Sequence, residues 1–276
     1  MVQTARKRQP PPRIVVRKMD FDFSNLERHW MAGSPTFTHI LNGVHLLFPS
    51  GERFFIRSVK HYLPQVKDPA LRSRVSAFFG QEARHGYEHE AAFAMLEEQG
   101  LEIKSFLAWY ERLCWGILEP NALPIMCLSV TVALEHFTAV MAHRALTSNE
   151  LDLGPDVMRD LLLWHSCEEI EHKSVAFDVF TEVGGTWPIR VLGAVVALGG
   201  LIPMWNLSTR HLMKQENMSW AERRADRQRV ADLGRGDRRY LVGAFIDYLR
   251  RDFHPDDTDD YHLAAEWLAA NGRLEK

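Results

Sequence analysis

Two short runs of this chain hold side chains of the kind that bind divalent metal ions. Gln81-Glu82-Ala83-Arg84-His85 contains Glu82 and His85, and Glu168-Glu169-Ile170-Glu171-His172 contains Glu169 and His172. At a spacing of three on a helix, a carboxylate and an imidazole share one face and can grip one ion. Upstream of each run stands a glutamate in an apolar setting. Glu52, in FPSGERFFI, lies 30 residues before Glu82, and Glu135, in SVTVALEHFTAV, lies 34 residues before Glu169. The chain therefore repeats itself: a helix with one Glu, then a helix with Glu-x-x-His, twice. Four carboxylates inside an apolar bundle would each cost on the order of several kcal/mol unpaired, and would protonate instead. Two divalent cations bring four positive charges to them. Mixed carboxylate and imidazole donors favour iron or manganese over calcium, so two iron ions are expected, with manganese or zinc as substitutes.

Three neighbouring residues extend the set. His165, Glu169 and His172 form His-x-x-x-Glu-x-x-His, and at 100° per residue they lie within about 40° of one stripe. His165 is thus expected as a further ligand. His89 follows His85 by one turn and competes for that role, or holds a ligand from behind. His136 points about 100° away from Glu135 and reads as a packed or supporting ring. Glu168 and Glu171 flank Glu169 on other faces and read as outer contacts or surface acids. His39, His45, His61 and His143 have no partner spacing and are expected to be partly exposed.

The elements that must carry these residues are helices. Pro49-Ser50-Gly51 opens a segment reaching Val66. Asp68-Pro69 supplies a cap and a first-turn proline for a helix over 69–98, which Gly100 stops. Further helices are predicted over 104–118, from Pro124 to Leu146, and over 155–182, with Gly184-Gly185 as the stop. Apolar residues recur at spacings of three and four, and period-2 alternation is rare, so the fold class is all-α. The expected architecture is a metal-binding four-helix bundle over 36–215. A basic, flexible segment (1–35) precedes it and a helical extension (216–276) follows.

Composition narrows the function classes. The chain has 276 residues, 46% apolar and 25% charged, with a net charge of −3, which excludes a chain that coats nucleic acid. Cys114, Cys127 and Cys167 sit in apolar helical stretches and read as buried free thiols of a reducing, cytoplasmic compartment. Residues 191–209 run for 19 positions without charge. That stretch reads as a buried helix, a membrane-dipping segment or a span, and its Gly199, Gly200 and Pro203 weigh against the last. With the basic N-terminus, its part over 191–205 offers a contact to a membrane surface, peripheral to the inner membrane. A homodimer is also allowed.

The repeated Glu…Glu-x-x-His pattern resembles the ferritin-like di-iron and di-manganese carboxylate bundles. FPSGERFFI, QEARHGYEHE and WHSCEEIEHKSVAFDVF resemble the bacterial family labelled predicted metal-dependent hydrolases, over roughly residues 35–215. The arrangement of His165, Glu169 and His172 is also similar to that of the di-iron arylamine N-oxygenases. These resemblances imply Glu52, Glu82, His85, Glu135, Glu169 and His172 as ligands, with His165 the seventh. Three functions follow. The leading expectation is a di-iron oxidase or oxygenase acting on an apolar small molecule, with dioxygen and an electron-donor protein as partners. The alternative is a hydrolase using a metal-activated water. The third is a non-catalytic metal-binding or iron-storage protein.

Overall fold

Helix signals in the sequence set most boundaries of the computed structural model, which describes residues 10–233 and 238–274. Helix α1 (Pro35–His45) starts at Ser34, whose side chain accepts a bond from the Phe37 amide. Helix α2 spans Phe48–Tyr62 and α3 spans Pro69–Glu98. The Asp68 carboxylate caps α3 by accepting from the Ala70 amide at 2.9 Å. Gly100 ends it at φ +81°, with the Leu101 amide donating back to Leu96 O at 3.0 Å. Helix α4 (Lys104–Leu113) runs into one π turn, and α5 spans Pro124–Thr147. Then come α6 (Asp156–His172), α7 (Val175–Glu182), α8 (Trp187–Met213), α9 (Trp220–Leu233), α10 (Arg238–Tyr248) and α11 (Tyr261–Ala270). No strand occurs among the described residues, and the chain is all-α.

Three expectations need correction. The helix expected over 155–182 is two, broken at Lys173-Ser174. No glycine or proline marks that break. It falls where the buried Lys173 ammonium is drawn out to Thr258 O and the Asp260 carboxylate. The helix expected over 104–118 changes to a π turn at Cys114. The segment expected to be flexible over 1–35 is packed where described: Ile14, Met19, Phe23, Leu26, Trp30 and Met31 are all buried in the core. Met19, Phe23, Leu26 and Trp30 recur at spacings of four, three and four, yet this segment forms no α-helix and is laid over the bundle as irregular chain. Residues 1–9 lie outside the described residues.

Four helices form the bundle. Helix α2 packs along α3 and α5 along α6, while α2–α5 and α3–α6 contacts close the ring. Helix α8 lies across α5 and α1. The approach to α5 is close: a Cβ at Gly193 would fall 2.0 Å from Ser129 Oγ, so only glycine fits. Helices α5 and α8 are both long and apolar enough to cross a membrane. They differ in cover. The most apolar stretch of α5 is 56% buried, that of α8 only 22%, so α8 is not the fully buried helix that one reading of 191–209 required.

Candidate metal centre

Glu52 on α2, Glu82 and His85 on α3, Glu135 on α5, and Glu169 and His172 on α6 all face the bundle axis and are buried. His172 Nε2 lies 3.2 Å from Glu82 Oε1, 3.3 Å from Glu135 Oε2 and 3.6 Å from Glu169 Oε1. His85 Nδ1 lies 3.6 Å from Glu169 Oε1 and 3.9 Å from Glu82 Oε1. His165 Nε2 bonds Glu169 Oε1 at 2.9 Å. Glu52, His89 and His165 bring their donor atoms within 4.8 Å of one another, as do the trios His85/His165/Glu169 and Glu82/Glu135/His172. Every residue of the sequence-derived ligand set therefore reaches one site.

The donor atoms point inward and have nothing else to bind. Both carboxylate oxygens of Glu52, Glu82 and Glu135, together with His85 Nδ1 and His172 Nε2, are buried without a well-formed hydrogen bond. Buried polar atoms are ordinarily paired, so such a cluster fits divalent cations and fits little else. A hydrogen bond on the outer nitrogen also orients each of the two imidazoles so that its other nitrogen faces the carboxylates. His85 Nε2 donates to Glu168 Oε2 at 3.1 Å, which leaves the Nδ1 lone pair facing the carboxylates. On the other side, His172 Nδ1 donates to Gln81 Oε1 at 2.9 Å. The Gln81 amide is itself oriented, because its nitrogen donates to Val15 O at 2.9 Å and Glu171 Oε2 at 2.7 Å. Each histidine is thus gripped by the residue preceding the other half's motif glutamate.

Arg17 closes this outer ring. Its guanidinium, from the N-terminal segment, bonds Glu168 Oε1 at 3.0 Å and Glu171 at 2.7 and 2.8 Å. One buried cation therefore stands behind both histidines. Trp164 Nε1 also donates to Glu168 Oε1 at 3.0 Å, and its ring meets His85 edge-on. Phe78 meets His172 edge-on, and Phe48 lies against His89 and His165.

Charge in the centre follows from burial. Desolvation, then the neighbouring carboxylates, push the Glu52 and Glu82 carboxyls well above the usual range. Burial raises Glu135 to about 7, against the pull of His172. Burial likewise works against the Glu169 anion, but His172 and His165 outweigh it and hold that carboxyl low. Burial also opposes the His172 cation, and Glu169 and Glu135 overcome it. Burial keeps His85 and His89 neutral. Several protons thus occupy positions that cations would take.

Some residues fall elsewhere than expected. His136 is not among them: it is a packed ring, as expected, lying against Tyr248 and Phe253 with Nε2 bonded to Ala244 O at 3.2 Å. His45, expected to be partly exposed, is buried and bonds His89 Nδ1 at 2.8 Å, while His89 Nε2 bonds His165 Nδ1 at 2.7 Å. His39 is buried too, 2.7 Å from Glu216, which His29 and Arg28 share at 3.2 and 3.1 Å. Cys114 and Cys127 are half-buried rather than buried, and all three thiols are free. Sequence reasoning missed Arg17, Gln81 and His45. Only Gln81 left a signal, as the residue matching Glu168 in the repeated motif.

Comparison with known proteins adds one finding. A family model described as predicted metal-dependent hydrolase matches residues 15–259, which includes the packed N-terminal segment and Arg17. No curated protein and no solved structure matches the chain.

Proposed function

The chain belongs to the family of predicted metal-dependent hydrolases, and from that premise we propose that it is a hydrolase working through two metal ions in the bundle. The observation that carries the reading is the set of inward, unpartnered donors on Glu52, Glu82, His85, Glu135, Glu169 and His172. His165 is proposed as a seventh ligand beside Glu169, with His89 holding its ring from behind at 2.7 Å. Bound ions supply Lewis acidity and a water made acidic enough to attack near neutral pH. The chain's own residues fix that chemistry in place. Glu168 and Gln81 orient the two imidazoles, Arg17 neutralises the acids behind them, and Phe48, Phe78 and Trp164 keep bulk water from the donors.

A second reading, a di-iron oxidase or oxygenase of ferritin-like architecture, is favoured by one observation. The carboxylates are wholly buried among aromatic rings, a setting that protects oxidising chemistry. The test loads the protein with zinc, manganese or iron and screens ester and amide substrates without oxygen. Turnover with zinc or manganese under argon is the expected result. Turnover only with reduced iron and dioxygen would replace the first reading by the second.

A further inference from the structure

The outward face of α8 has neither charge nor protein cover. Leu192 is 51% exposed, Val195 57% and Ile202 53%, with Val196 and Leu207 also exposed on the same side. At 1.5 Å per residue this stripe runs about 22 Å. Apolar stripes of that length on soluble proteins are ordinarily covered by something.

Three features say what covers this one. Residues 183–215 contain no aspartate or glutamate, and their cations include the exposed Arg210 and Lys214. Each end of α8 presents an exposed tryptophan with an arginine stacked on it. Arg251 lies 4.8 Å from the Trp187 ring centre, and Arg224 lies 5.5 Å from that of Trp220. Trp220 stands at the C-terminal end of α8 because Arg223 donates to Met213 O at 2.8 Å. At the other end, Asp247 and Asp252 are paired with Arg250. An apolar middle, tryptophans and cations at the margins and no acid between is the profile of a helix at a lipid headgroup boundary.

We propose that this face of α8 docks on an anionic lipid surface, with the helix lying flat rather than crossing. The opposite side is tied to protein along its length. Ser129 Oγ bonds Ile189 O at 2.8 Å, Trp205 Nε1 bonds Ile40 O at 2.7 Å, and Ser208 Oγ bonds Gly43 O at 2.8 Å. A second copy of the chain fits this face poorly. Residues 183–215 carry cations and no acid, so two α8 helices laid face to face would bring only like charges together.

The full metal-loaded chain is sedimented with vesicles of phosphatidylcholine alone and of phosphatidylcholine with phosphatidylglycerol, while light scattering reports its mass. The chain should bind the anionic vesicles, less so as salt rises. Leu192→Asp with Val196→Asp should weaken binding about tenfold or more, and Arg210→Glu with Lys214→Glu should remove the preference for phosphatidylglycerol. If the first pair fails to fold, the second pair carries the test. No binding by the wild-type chain overturns the proposal. So does a wild-type dimer that the aspartates convert to monomer while vesicle binding stays the same.

Discussion

The two halves of the proposed metal centre share a motif and differ in what stands behind it. In the first half, His85 leans on a carboxylate, Glu168, which Arg17 neutralises. In the second, His172 leans on a neutral amide, Gln81, and the charge lies one step further out, on Glu171. Beside the first half stand two additional histidines, His45 on α1 and His89 on α3, linked to His165 across the bundle, whereas the position matching His89 in the second motif is Ala176. A repeated motif therefore does not make its two halves equivalent. The groups behind the ligands decide how strongly each nitrogen donates and which carboxyl gives up its proton first.

That comparison breaks most visibly at Arg17, which serves both halves. Arg17→Met leaves Glu168 and Glu171 buried without their cation, and the fold should lose about 3–5 kcal/mol. Thermal unfolding of wild type and variant measures the loss, and an unchanged melting temperature would show that the acids need no partner. The next effect separates the halves. Gln81→Leu removes the acceptor behind His172 alone and should lower metal affinity about 10–100-fold, read by competition with a chelator. An affinity within twofold of wild type would mean that the His172 tautomer is set by other contacts.

A pH dependence sharpens the contrast further. Burial raises Glu135 to about 7, and holds Glu52 and Glu82 well above the usual range. Each then binds protons more tightly folded than unfolded, so its contribution to stability is present at low pH and is lost as pH rises through the folded value. Below about pH 6.5 the buried neutral histidines His45, His85 and His89 work the other way. The metal-free chain should therefore lose stability as pH rises above about 6.5. Metal should abolish the loss, because cations replace those protons. A metal-free melting temperature that is flat or rises over this window would contradict the assignment. The smallest effect is expected at His89, which touches the centre through His165: His89→Asn should change metal affinity by less than about tenfold.

Much of the centre was legible in the sequence because helical spacing alone places Glu-x-x-His on one face, and proline and glycine mark the ends of α3. Arg17 was hidden for a physical reason. It lies in an irregular segment whose partners sit more than 150 positions away, and a run of basic residues looks the same whether solvated or buried. The break at Lys173 was hidden because its cause, Asp260 beside α11, is equally remote. His45 was missed because its partner is a turn of another helix rather than a neighbour on its own.

The most direct test is the metal content of the purified chain after reconstitution with iron, manganese or zinc, set against Glu135→Ala. Wild type should retain about two ions per chain, and the variant should lose about half or more of them. Equal content in the two proteins, or wild type that retains none, would contradict a metal centre at these glutamates.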